Sequence, residues 1–414
     1  MRQSVRTTRR DWLTTLGLTA AAFKTRVAAR ETTAPEQAAA PDQAAAPGSL
    51  ALSDFRPKSM LHVPETDVPR ARFPVVDVHC HVAFTAREVG GVPLGEATRI
   101  DADVASVVAM MDRRNVKTMV NLTGGYGAGL VDSVRALQGS HPDRFVVFTE
   151  PGWDRFASSG YAQWQGDEMA RAKAAGARGL KILKTLGLYL REQVTSGPLV
   201  AIDDRRFDPM WEACGALGLP VAIHIADPEA FFLPIDRFNE RYEELNAHPD
   251  WSFHGRDYPT FASLIAARDR LLARHPKTTF IGLHVGHDSE NLAAVGEALD
   301  RFPNFHVETA ARIAELGRQP RATRRFFDRY QDRVLFGTDT TPGRGTLAAD
   351  SYVDAMYRIY FRFFETDDEY FDYSPSVVPP QGRWRIYGLA LPDGILRKLY
   401  FENAERLLGR ARPI

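Results

Sequence analysis

Cysteine is nearly missing from this chain: only Cys80 and Cys214 occur among 414 residues. Two thiols cannot build a disulfide framework, even in an oxidising compartment, and both read as small buried hydrophobes. No apolar run is long enough for an integral membrane helix. An excess of either charge is also lacking, since 52 Lys and Arg face 52 Asp and Glu, which argues against a nucleic-acid footprint or a polybasic membrane patch. What is present, 44% hydrophobic and 25% charged residues, is ample for a large globular core.

The N-terminus has its own composition. Arg9-Arg10 precedes a mildly hydrophobic run from Trp12 to Phe23 and then basic and small residues, a pattern that resembles a twin-arginine export signal over residues 1–30. The expectation is a periplasmic or otherwise exported protein without stable membrane insertion once the signal is removed. Residues 31–50 contain the doubled unit QAAAP and read as a disordered tether. Removing seven basic and one acidic residue with segment 1–30 leaves 45 basic against 51 acidic side chains, a mildly acidic mature chain.

The folded part is expected to span residues 51–414. From Phe73 onward, short β-type runs alternate with helical ones: VVDVHCH, KTMVNL, RFVVFTE, RGLKILK, LPVAIHIAD, TTFIGLHVG, NFHVETA and DRVLFGTD, each followed by a helical pattern. Eight such units predict an α/β fold of the (β/α)8 TIM-barrel type rather than an open sheet. Two segments break the rhythm, 227–258 after strand five and 341–391 after strand eight. Both are rich in aromatics and long for βα connections, so they read as lid and substrate walls, or as a homodimer contact.

Eleven histidines occur, and several fall at predicted strand ends: His79 and His81 on strand one, His224 on strand five, His284 on strand six. Asp339 ends strand eight. Alternation along a strand places Asp77, His79 and His81 on one face, His224 with Ala222, His284 with Gly282, and Asp339 with Gly337. His224, His284 and Asp339 then each have a small residue beneath them and bulky residues on the opposite face. Four imidazoles and a carboxylate at inward strand ends form a borderline nitrogen and oxygen donor set suited to a divalent metal, zinc first, with manganese or iron as alternatives.

The stretches DVHCHV, VAIHIADP, FIGLHVG, VLFGTD and the tail LALPDGILRKLYFENAERLL resemble the amidohydrolase superfamily, in the branch that includes aminocarboxymuconate-semialdehyde decarboxylase. The resemblance covers Phe73 to Leu408. It implies that His79, His81, His224 and Asp339 bind the metal, that Asp339 and His284 act in catalysis, and that Asp77 supports the ligands. Binuclear relatives bridge two metals with a carboxylated lysine at the end of strand four, where this chain offers Lys181 and Lys184. Either lysine can equally contact an anionic substrate or pair with an acid. Arg312, past strand seven, is a carboxylate-binding candidate because its planar fork suits a bidentate contact; an ion pair with Glu308 or Glu315 is the alternative.

The expectation is therefore a metal-dependent hydrolase of a C–O or C–N bond (lactone, ester or amide) in a small organic substrate, acting through a metal-activated water. A metal-dependent decarboxylase of a small carboxylic acid, with room for an aromatic one, is the alternative, and an exported metal- or solute-binding protein is a third.

Overall fold

The barrel strands of this chain are short, apolar and mostly buried. In the computed structural model, which describes residues 50–51, 54–255, 257–343 and 347–409, eight of them run parallel: β1 Val75–Cys80, β2 Val116–Asn121, β3 Phe145–Val147, β4 Leu180–Leu183, β5 Val221–His224, β6 Phe280–Gly282, β7 Phe305–Glu308 and β8 Val334–Leu335. Residues 1–30, read above as an export signal, and all of residues 31–50 but Leu50, read as a tether, lie outside the described residues.

The strands pair in the order β1-β2-β3 and β8-β7-β6-β5-β4. Two bridges join these sheets into a closed cylinder: Thr149, just past β3, pairs with Leu180, and Cys80 pairs with Thr340. Hydrogen bonds from Lys181 N to the Thr149 carbonyl (2.8 Å) and from Asp339 N to the His79 carbonyl (2.8 Å) seal the two seams. This is the predicted (β/α)8 barrel.

Eight helices cover the cylinder: α1 Val104–Arg114, α2 Gly127–Val134, α3 Tyr161–Ala174, α4 Asp208–Leu217, α5 Phe261–Arg274, α6 Leu292–Arg301, α7 Pro320–Tyr330 and α8 Leu347–Glu365. Local chemistry sets their ends. Asp103 caps α1 through the Ala105 N–H, Thr260 caps α5 through the Ser263 N–H, and α4 stops at Gly218, whose φ of 66° suits a residue without a Cβ.

Two apolar layers follow from the strand faces. Val75, Met119, Phe145, Ile182, Ile223, Phe305 and Phe336 pack outward under the helices. Val76, Val78, Val120, Val146, Phe148, Ala222, Ile281, Leu283 and Leu335 fill the interior. Those interior residues come from six strands, and β4 and β7 turn Lys181 and Glu308 inward instead. Lys181 registers beside Ala222 of the interior set.

Strict alternation fails on two strands. The β1–β2 register runs from Asp77 opposite Met119 to Cys80 opposite Asn121, three steps against two, so β1 carries a bulge. Val78 and His79 then both face inward, whereas Asp77 turns out toward α8. On β6, Ile281 and Leu283 fill the interior rather than facing helices. There a left-handed turn at His284 (φ 55°) and Val285 (φ 58°) delivers the histidine.

The two long connections also differ in part from expectation. Segment 227–258 folds over the barrel mouth as short helical turns, with Phe231, Trp251 and Phe253 buried and Tyr242 exposed. Much of segment 341–391 is the regular helix α8, whose Tyr357, Tyr360, Phe361 and Phe364 are core residues; the last three pack against Phe336, and Tyr357 packs against Phe361. The stretch after it supplies the wall, with Tyr373, Pro379 and Gln381 lining a cleft at the mouth.

Candidate metal centre and active site

All four histidines singled out from the sequence are buried, each at or just past a strand's C-terminal end. Asp339, past β8, has a side chain only 6% exposed. The hydrogen bonds behind each ring decide where its proton sits. His79 Nδ1 donates to Glu308 Oε1 (3.1 Å), His284 Nδ1 to the Ala310 carbonyl (2.9 Å), and His224 Nε2 to Asp227 Oδ1 (3.3 Å). His81 Nδ1 lies 3.1 Å from Thr123 Oγ1. That hydroxyl already gives its hydrogen to the Ala83 carbonyl, so the imidazole is the donor.

With their rear nitrogens committed, the rings direct the other nitrogen to a common point. His79 Nε2 and His81 Nε2 are 3.2 Å apart, and His224 Nδ1 and His284 Nε2 are likewise 3.2 Å apart. Asp339 Oδ1 lies 3.1 Å from His79 Nε2 and 3.0 Å from His81 Nε2. Ligand atoms of His79, His284 and Asp339 all fall within 4.8 Å of one another. Lone pairs this close repel unless a cation or a proton sits among them, and the nitrogen and carboxylate donors fit a divalent metal.

The electrostatics point the same way. Burial lowers His81 to about 4, against the pull of Asp339, and holds His284 well below the ordinary imidazole range, helped by His224 and Arg312. At His224, burial together with Lys184 and Lys181 does the same. Neutral imidazole is the form that ligates metal. At His79 burial also favours the neutral ring, but Asp339 outweighs it, with help from Glu308, and the pKa is raised. A metal ion and a proton therefore compete for His79 Nε2. Burial opposes the charge on Asp339, yet His79, His81 and His284 hold its pKa well below the usual carboxylate range.

Backbone conformations that L residues rarely adopt gather here: His284, Val285, Ala311 (φ 55°) and Asp339 (φ 64°) are all left-handed. Such residues cost about 1–2 kcal/mol each and are held by hydrogen bonds. His284 N donates to Glu308 Oε1 (2.6 Å), Asp339 N to the His79 carbonyl, and Ala311 N to the Tyr360 hydroxyl (2.9 Å). Gly337 is required for space, because a Cβ there would lie 2.3 Å from Glu308 Oε2 and 3.1 Å from His79 Cβ.

The remaining sequence candidates fall into distinct places. Asp77, expected to support the ligands from the same face, sits outside the bulge. It accepts from Thr338 Oγ1 (2.5 Å) and Tyr357 OH (2.7 Å) and reaches His79 only through its backbone N–H. The carboxylate that touches the His79 ring is Glu308. Lys184 is buried in an ion pair with Asp227 (2.7 Å), behind His224. Lys181 is fully buried inside the barrel, close enough to depress His224 and His81. Arg312 pairs with neither Glu308 nor Glu315; it donates to the Ala311 carbonyl (2.9 Å) and lines a recess with His224, His284 and Asp339. His287 donates through Nε2 to the Ile223 carbonyl (2.7 Å) and fixes the end of β5.

Glu308, Asp227, Thr123 and Gln381 were not picked out as site residues from the sequence. For Glu308 a signal existed, since an acid ends strand seven at the level where other strands end in histidine. For Asp227, three residues past His224 and before a proline, the signal was weaker.

A family model described as amidohydrolase matches residues 76–410. The chain belongs to the amidohydrolase family. Curated proteins give no match to this amidohydrolase. Solved structures give distant ones. A 2,6-dihydroxybenzoate decarboxylase from Rhizobium is 16% identical, covering 81% of this chain and 99% of that one, with a TM-score of 0.47. A dihydroxybenzoic acid decarboxylase from a Polaromonas species, solved with manganese and the inhibitor 2-nitroresorcinol, is 16% identical over 76% of this chain and 88% of that one (TM-score 0.46). A probable 2-pyrone-4,6-dicarboxylic acid hydrolase from Acinetobacter baumannii, with citric acid bound, is 11% identical over 81% and 100% (TM-score 0.43). Scores at this level carry nothing about the substrate of this amidohydrolase.

Proposed function

We propose that this amidohydrolase is a metal-dependent hydrolase that cleaves a C–O or C–N bond, as in a lactone, ester or amide, of a small organic molecule. The observation that carries the reading is the convergence of the front-facing nitrogens of His79, His81 and His284 on Asp339, with His224 Nδ1 against His284 Nε2, each ring held from behind. His79, His81, His224 and Asp339 would hold a divalent ion, zinc by preference, with His284 at its edge. Such an ion supplies an acidified water and polarises a carbonyl.

The chain's own groups do the rest. Asp339, kept ionised among three imidazoles, accepts a proton at Oδ1 and passes it to the leaving group. His284, with its Nδ1 proton fixed on the Ala310 carbonyl, keeps Nε2 directed at the reacting centre. Trp251, Tyr352, Met356, Tyr360 and Tyr373 line the cleft beside Asp339 and exclude water from it.

That aromatic lining favours one second reading, decarboxylation of a small, ring-bearing carboxylic acid, because apolar walls desolvate a carboxylate and so ease the loss of carbon dioxide. Turnover in ¹⁸O-labelled water, with candidate substrates of both classes, separates the two. Hydrolysis places one label in the product acid or alcohol pair. Release of carbon dioxide, with deuterium from heavy water at the former carboxyl carbon, would establish the lyase reading instead.

A further inference from the structure

The cleft at the barrel mouth and the recess beside the histidines meet at Asp339, Ala311, Trp251 and Gln381, which border both. The recess carries polar groups, His224, His284 and Arg312 among them. The cleft is of another character. Among the described residues no Lys or Arg lines it, and its walls include Trp251, Ile313, Met356, Pro379 and three tyrosines.

The hydroxyls of those tyrosines are turned to the protein. Tyr373 OH donates to the Gly382 carbonyl (2.9 Å) and accepts from Gln381 N (2.9 Å) and Gly382 N (3.0 Å). Tyr360 OH accepts from Ala311 N (2.9 Å), and Tyr352 OH lies 3.2 Å from Ser374 Oγ. With the hydroxyls so engaged, the rings are what the cleft presents. The acids at its edge are committed as well: Glu243 to Arg383 (2.6 Å) and Glu244 to Arg241 (2.9 Å). His248 stacks on Trp251, with ring centroids 4.0 Å apart and planes 13° apart, and burial lowers its pKa, which favours the neutral ring. Gln381 Oε1 is buried without a partner, but Gln381 borders both recesses, so that acceptor lies where the cleft meets the reacting centre.

A charged group entering such a cleft gives up water without gaining partners, a cost that an apolar group avoids. Volume sets the size. The cleft holds about 200 Å³, and an apolar cavity of about 150 Å³ accepts benzene. We propose, resting on the site reading above, that this cleft is the specificity pocket of the enzyme, and that the substrate carries an uncharged apolar group of about one six-membered ring next to the bond that reacts at Asp339. The reacting end lies toward His284, the apolar end between Trp251, Met356 and Tyr373.

Hydroxamates test this, because the hydroxamate chelates a divalent metal and fixes one end of the probe at the centre. Benzohydroxamate supplies the ring, acetohydroxamate lacks it, and 4-carboxybenzohydroxamate places a charge at the far end of the ring. Their affinities for the full-length, metal-loaded protein can be read by calorimetric titration, with metal content checked afterwards. Burial of a phenyl group corresponds to about 10- to 100-fold in affinity, so benzohydroxamate should bind tighter than acetohydroxamate by that factor. The carboxylated probe should bind about tenfold or more weakly than benzohydroxamate. Met356→Lys, checked by circular dichroism, should reverse that order. Benzohydroxamate no tighter than acetohydroxamate would overturn the proposal, as would a carboxylated probe equal to or tighter than benzohydroxamate; both comparisons use wild type and need no variant to fold. Folded Met356→Lys protein that keeps the wild-type order would place the ring outside the cleft and overturn it too. Acetohydroxamate that fails to bind would count against the metal centre, while a gain from the ring would still support the cleft.

Discussion

Glu308 joins three parts of the site through one buried carboxylate: it accepts from the His79 ring, from the His284 N–H and from the Ala310 N–H. Removing its charge frees the His79 ring and leaves a left-handed turn without its anchor. Partners behind metal ligands typically contribute 10- to 100-fold in affinity, so Glu308→Gln is expected to weaken metal binding by about that range in a competitive chelator titration. Unchanged affinity would remove Glu308 from the support of the centre. At the opposite edge, Lys184 and Asp227 form a pair whose side chains are 1% and 5% exposed. Deleting one partner of a buried pair strands the other charge, at a cost of about 3–5 kcal/mol. Urea unfolding of Lys184→Met should show a loss of that size, and replacing Asp227 by Leu as well should recover part of it. Equal stability of the single variant and wild type would mean that the pair carries no net stabilisation.

At the scale of elements, β1 explains both what the sequence displayed and what it hid. The alternation of valines with Asp77, His79 and His81 marked a barrel strand and two of the imidazoles now found at the centre. The bulge that separates Asp77 from them leaves no trace in composition, because one extra residue in a ladder is set by pairing with β2 rather than by local propensity. The turn after β6 was hidden for a similar reason: Val285 is β-branched and left-handed, against its own preference. Strand β8 was easier to read, since Gly337 and Asp339 share the inner face and Phe336 lies outside. Phe336 packs against Tyr360, Phe361, Phe364 and Tyr400, and Phe336→Ala is expected to cost about 3–5 kcal/mol. Thermal denaturation should register this as a clear drop in Tm while metal content in the surviving protein stays at the wild-type level. A loss of metal without loss of stability would mean that the outer face of β8 acts on the centre directly.

For the whole molecule, the count of βα units was legible because each strand and helix carries its own period, and the barrel follows from eight of them. The wall of the recess was harder to see, although Arg312 stood out past strand seven. Gln381 lies 42 positions beyond Asp339 in sequence, and only the folded wall brings it to the recess. The C-terminal helical segment closes the structure at β8: the Leu399 carbonyl accepts from Phe336 N (3.1 Å) and Asn403 Nδ2 donates to the Val334 carbonyl (2.8 Å). Ending the chain at Pro392 should therefore abolish cooperative unfolding, which calorimetry would detect. The central claim is that the imidazoles and Asp339 hold a metal. Elemental analysis of protein purified without chelator tests it most directly, on wild type and on His79→Ala. The result expected is about one divalent ion per chain in wild type, zinc by preference, and little in the variant. Metal content in folded His79→Ala equal to that of wild type would contradict it.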